Sequence, residues 1–148
     1  MKIVKSNENP YCGDVEALVE GLGYRLVDYS LDKVKSGWHA IVVIFSPHGT
    51  GIDDCSRVHR PLQQRLEVLL DSQDVSMEVS SPGVHRVFKK SYELKAFQGF
   101  TVSVWDVTCT DWVTGTLIEY KEDAIVLQND TVTKTIAFSA IKKAKLID

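Results

Sequence analysis

The chain has 148 residues, 44% hydrophobic and 25% charged, a composition that excludes a disordered chain, a collagen repeat and a coiled coil. Seventeen basic and twenty acidic residues leave a net charge of −3, the wrong sign for a protein held to nucleic acid mainly by bulk phosphate contacts. Cys12, Cys55 and Cys109 are odd in number and lack Cys-x-x-Cys spacing, so neither a disulfide framework nor a zinc site is suggested and a reducing, cytoplasmic setting fits.

Residues 11–21 carry Val15, Leu18, Val19 and Leu22 at three- and four-residue spacing and meet Gly21 and Gly23, which predicts a short amphipathic helix. Residues 24–31 and 38–45 are rich in β-branched and aromatic side chains around the turn-prone 32–37 and read as an antiparallel hairpin. The apolar run 41–45 is the longest in the chain, far short of the ~20 residues that cross a bilayer, so no export signal or membrane anchor is expected. After a loop at 46–51, Asp53 is the expected N-cap of the longest helix, 53–71, whose stripe is Cys55, Val58, Leu62, Leu66, Leu69 and Leu70. Pro61 removes a backbone donor inside that span, which predicts a kink or an effective start near Pro61. Val75, Met77 and Val79 alternate with Ser76, Glu78 and Ser80, the pattern of a half-buried strand. The order helix, strand, strand, helix, strand makes a small α+β layer.

The grammar changes at Ser80-Ser81-Pro82-Gly83. Residues 91–97 suit a helical turn, and 100–107, 113–120, 124–128, 132–138 and 144–147 read as five short strands, the signature of a small barrel in which Gly115 marks a bend. The length prior of one domain therefore gives way to two, 1–82 and 83–148. Their charges differ: eight basic and twelve acidic residues (−4) in the first, nine and eight (+1) in the second. The second domain's basic groups cluster at Arg86, Lys89, Lys90 and Lys95 and at Lys142, Lys143 and Lys145.

No catalytic constellation is legible. Cys55 and His59 share a helix face but lack a third metal ligand, so Cys55 reads as a packed thiol and His59 as a solvated helix residue. Asp53-Asp54 suits a helix start, and His48-Gly49-Thr50-Gly51 lacks the lysine of a phosphate loop. Trp38, Trp105 and Trp112 could stack bases but suit half-buried strand positions better.

Three stretches together resemble the bacterial ribosome maturation factor RimP family: Gly23-Tyr24-Arg25-Leu26-Val27-Asp28, Ile52-Asp53-Asp54-Cys55-Ser56-Arg57-Val58-His59-Arg60, and Glu78-Val79-Ser80-Ser81-Pro82-Gly83-Val84-His85-Arg86. The resemblance implies an N-terminal αββαβ domain of KH-like layout and a C-terminal SH3-like or Sm-like β-barrel. It further implies a monomeric, non-enzymatic factor for late assembly of the small ribosomal subunit, bound through rRNA and a basic ribosomal protein near the decoding centre. At the junction His85 and Val87 stand where the family usually has a carboxylate and a proline, and no Gly-x-x-Gly loop joins two helices. No cofactor, metal, membrane or small-molecule substrate is expected. The candidates for the domain junction are Ser80, Ser81, Pro82, Gly83 and Arg86, and those for polar contact with a partner or rRNA are Lys89, Lys90, Lys142 and Lys143. The alternative is a free-standing Sm-like or KH-like regulator that binds single-stranded RNA.

Overall fold

The structure, a computed structural model, describes residues 1–48, 50–83 and 85–147. Its elements are α1 (Cys12–Gly21), β1 (Arg25–Val34), β2 (Gly37–Phe45), α2 (Ile52–Leu70), β3 (Val75–Ser80), a 3-10 helix (Ser91–Phe97), β4 (Thr101–Asp106), β5 (Asp111–Tyr120), β6 (Ala124–Asn129), β7 (Val132–Ala137) and β8 (Ile141–Leu146). The chain divides into two compact units: Asn7–Pro82, and Gly83–Asp148 together with Met1–Ser6. The first six residues thus belong with the second unit, not with the helix they precede in sequence. Recounted on these units, the charges are −6 (six basic, twelve acidic) and +3 (eleven basic, eight acidic).

The first unit is an αββαβ layer with sheet order β1-β2-β3. The first pair is antiparallel and the second parallel, the parallel pairing being possible because α2 carries the chain back across the sheet. Strand alternation sends Tyr29, Leu31, Ala40, Val42, Ile44, Val75 and Met77 to one face, where they bury against Val15 and Val19 of α1 and Val58, Leu62 and Leu66 of α2. The Tyr29 hydroxyl donates to the Pro10 carbonyl at 2.8 Å, which satisfies the one polar atom that this large ring carries into the core.

Helix α2 runs unbroken through Pro61, so the helix does not start there. Its N-cap is Gly51 rather than Asp53, because the Asp54 carboxylate reaches back to accept the Gly51 N–H at 2.8 Å. The same carboxylate accepts the Tyr24 hydroxyl at 2.5 Å. These donors, the Gly51 amide foremost, hold its pKa below the usual carboxylate range. The hairpin between β1 and β2 is tighter than the sequence suggests, since only Lys35 and Ser36 lie outside the strands. Gly37 makes this possible: its φ is +153°, and a Cβ there would sit 2.1 Å from the Asp74 carbonyl oxygen, the acceptor of the Trp38 N–H.

The second unit orders its strands β7-β6-β5-β4-β8, all neighbours antiparallel. This is a four-strand meander whose fifth strand returns beside the first, a β-rich domain where the strand pattern and the RimP resemblance predict a small barrel. Strand β8 starts at Ile141 instead of 144, so Lys142 and Lys143 lie inside it; buried Ile141, Ala144 and Leu146 supply the pattern that the lysines mask. Gly115 has ordinary φ but lies against β6, where a Cβ would come within 2.9 Å of the Gln128 carbonyl oxygen. Close strand approach, rather than backbone freedom, requires glycine there.

Glu93, fully buried, organises the entry to this unit. Its Oε1 accepts from Arg86 Nη2 at 2.6 Å and Nε at 2.9 Å, and its Oε2 accepts the backbone N–H groups of Lys89 at 3.1 Å and Lys90 at 2.9 Å. Residues 86–88 line the free edge of β8: Phe88 N–H donates to the Ala144 carbonyl, and Leu146 N–H donates to that of Arg86. The N-terminal segment is held next to them by a bridge between Lys2 and Lys90 and by the buried Ser91 hydroxyl, which bonds both the N–H and the carbonyl of Val4. At the β4–β5 turn, Asp106 accepts the Thr108 hydroxyl at 2.6 Å and its N–H at 2.9 Å, and pairs with Lys134 at 3.1 Å. The Thr108 hydroxyl and amide, with Lys134 behind them, lower its pKa to about 2.

Three outcomes are expected. Gly37→Ala lowers stability by about 2 kcal/mol or more, read by urea unfolding, since the new methyl collides with backbone and not with a movable side chain. Glu93→Gln or Arg86→Glu destabilises the second unit by about 3–5 kcal/mol, read by the loss of near-ultraviolet circular dichroism, because each leaves a buried charge without its partner. The depressed Asp106 pKa contributes stability that is fully present above about pH 4 and is lost as pH falls toward about 2, so Asp106→Asn flattens the acid limb of the melting temperature against pH.

Candidate partner-binding surfaces

In the first unit the chemistry-bearing residues are used internally. His59 is half-buried, and its Nε2 donates to the Met77 carbonyl at 3.0 Å. This corrects the expectation of a solvated residue: the imidazole closes part of the free edge of β3, and Gln63 one turn later does the same for the Val75 carbonyl at 3.0 Å. Cys55 is partly buried against the core, as its place in the apolar stripe requires, and burial raises its thiol pKa. Among the described residues no group of three His, Cys, Asp or Glu side chains could hold a metal. Gly49, part of the loop read against a phosphate-binding motif, lies outside the described residues, as does Val84 of the junction motif.

Ser80 and Ser81 line an open cavity of about 560 Å3 with Ile52, Cys55, Ser56 and His59. Ser56 donates its hydroxyl to the Ile52 carbonyl, and the His59 ring faces a carbonyl rather than a hydroxyl. The cavity presents apolar surface and hydroxyl groups suited to binding. Ile52, 86% exposed, marks its rim. Pro82 ends the first unit. Gly83 starts the second, accepting the Arg86 N–H at 3.2 Å; nothing lies within 4 Å of where its Cβ would be.

The basic candidates separate into two kinds. Arg86 has its guanidinium on Glu93 and only 18% of its side chain exposed, so it holds the second unit together. Lys89, Lys142 and Lys143 are exposed, and Lys90 packs its ammonium over the Tyr92 ring, 5.4 Å from the centroid. The structure brings exposed Lys2 beside Lys89 and Lys90, a juxtaposition that sequence analysis misses because nearly ninety positions separate them. It also aligns Trp112, Trp105 and Lys143 in one row across β5, β4 and β8, and Thr114, Ser103 and Lys145 in the next. The available signal was parity: Ser103 and Trp105, like Lys143 and Lys145, are two apart on strands whose alternate residues are buried.

No described helix is long and apolar enough to cross a membrane. Comparison with known proteins gives one family match, to the RimP N-terminal domain over residues 14–85, which spans most of the αββαβ unit. Two curated relatives extend the similarity into the second unit. The ribosome maturation factor RimP of Borrelia turicatae (strain 91E135) is 26% identical over 132 residues, covering 89% of this chain and 90% of its own. That of Borrelia hermsii (strain HS1 / DAH) is 23% identical over the same length and shares. An αββαβ unit matching the RimP N-terminal domain, followed by a β-rich unit within the same full-length similarity, makes this chain similar to the RimP proteins across both of its units.

Proposed function

We propose that this protein is a ribosome maturation factor that acts without catalysis in late assembly of the small (30S) subunit in the cytoplasm. The observation that carries this reading is the similarity over about nine-tenths of the chain to proteins named ribosome maturation factors. Because it spans both units, it argues for the activity of the whole protein rather than for one borrowed domain. The charge division supports a bridging mode. The acidic first unit (−6) suits a lysine-rich ribosomal protein, near the decoding centre in the family reading, while the basic second unit (+3) suits rRNA. Ser80, Ser81, Pro82 and Gly83 set the junction, and Lys89, Lys90, Lys142 and Lys143 supply polar contacts.

The mechanism is selective binding: as a monomer, the factor holds an immature local conformation of the particle and leaves when the mature one forms, by the difference in its affinity for the two. Sedimentation of tagged protein with purified ribosomal particles tests this. Comigration with free small subunits and absence from joined ribosomes is expected. Protein that stays at the top of the gradient at every salt concentration, while binding isolated RNA, favours a free-standing RNA-binding regulator instead.

A further inference from the structure

The outer face of the second unit's sheet has a composition unlike the rest of the molecule. Its rows across β5, β4 and β8 are Trp112, Trp105 and Lys143, then Thr114, Ser103 and Lys145, then Thr116 and Thr101. The alternate positions Val102, Val104, Ala144 and Leu146 are buried, so these eight side chains share the opposite face by strand parity, with Ser103 covered by its neighbours there. They comprise two indoles, two ammonium groups and four hydroxyls, with no carboxylate. Asp111, next in sequence to Trp112, has the other parity and accepts the Trp112 backbone N–H, and Asp106 is buried on Thr108 and Lys134.

The face is organised, not merely exposed. The indole rings of Trp105 and Trp112 meet edge to face, centroids 5.7 Å apart and planes at 79°. The Lys145 ammonium lies 4.6 Å from the Trp112 centroid, and the Ser103 and Thr114 hydroxyls share a hydrogen bond of 2.8 Å. Trp112 nevertheless stays 38% exposed, and Lys143 and Thr114 are exposed beside it.

We propose that this face binds unpaired nucleotides of RNA, with bases stacked on Trp112 and Trp105 and phosphates against Lys143 and Lys145. Three features carry it: planar π surfaces for bases, positive charge at positions 143 and 145 of β8 for the backbone, and the absence of a carboxylate among the eight side chains named, in a unit that holds eight acidic residues. A duplex would satisfy only the lysines, because its bases are already stacked on one another. An acidic peptide likewise would leave the indole faces without a planar partner. The inference rests on the assembly-factor reading and deepens it, by naming the part of the protein that meets rRNA and the form of RNA it takes.

The test uses the full chain carrying Trp38→Phe, so that fluorescence reports only Trp105 and Trp112, and a labelled single-stranded RNA of about eight nucleotides. The single strand is expected to quench the remaining fluorescence and to bind more tightly than the same sequence in a duplex. Trp112→Ala should weaken binding about tenfold or more, and Trp112→Phe should retain most of it, which separates stacking from loss of fold. Lys143→Glu with Lys145→Glu should weaken binding and reduce its salt dependence. Unchanged affinity in the Trp112→Ala and double-lysine variants, or equal affinity for duplex, overturns the proposal. The same variants are sedimented with small subunits. Variants that lose the subunit yet bind the oligonucleotide normally would make the face a protein-docking site and overturn the RNA assignment alone. A parent protein that binds the oligonucleotide through this face but never comigrates with the subunit keeps the RNA assignment and removes the assembly-factor reading.

Discussion

A carboxylate with no exposure to water has to be surrounded by donors, and in this protein Glu93 sets the form of the second unit by that requirement. Its two oxygens take four donors, two from the Arg86 guanidinium and two from the backbone of Lys89 and Lys90. The segment that enters the unit is thereby fixed at both its ends. With it fixed, residues 86–88 align with β8 and the N-terminal segment aligns with Lys90. The lysines that remain for a partner are displayed on a scaffold whose own electrostatic demand Arg86 has already met.

The two units solve the burial of their sheets differently, and this decides where binding surface is left. In the αββαβ unit the helices cover one sheet face, and α2 side chains also close part of the β3 edge through His59 and Gln63. An open cavity lies past the last of these contacts, where the α2 N-terminus meets Ser80 and Ser81. In the second unit the sheet curls around its own core of Val102, Val104, Leu117, Ile125, Leu127 and Ile136, so the outer face is free for polar and aromatic side chains.

Much of this was legible in the chain itself. The apolar spacing of Val58, Leu62 and Leu66 and the alternation of Val75 and Met77 gave the helix and strand that form the first core, because 3.6- and 2-residue periods leave direct marks in sequence. The family motifs located the αββαβ unit and the change of architecture after Pro82. The errors fall where one specific contact outweighs the general preference of a residue type. Asp53 is a good N-cap by type, but the cap is set by Asp54 reaching Gly51. Pro61 predicts either a kink or a late start, and the late start is what α2 contradicts: it begins at Ile52 and passes through Pro61 with Val58, Leu62 and Leu66 buried on either side. Burial of that stripe exceeds one missing hydrogen bond.

Composition, local period and motif were enough for the α+β class, the change of architecture near Pro82-Gly83, the likeness to the RimP proteins and the sign of each half's charge. Tertiary structure alone decided that Met1–Ser6 belongs to the second unit, which sharpens the charge division from −4 and +1 to −6 and +3. It also decided that Arg86 is an internal partner of Glu93 while Trp105, Trp112, Lys143 and Lys145 share one face. The physical reason is that strand pairing and the neutralisation of a buried charge join residues distant in sequence, and which residues meet is set by register and burial rather than by any local pattern.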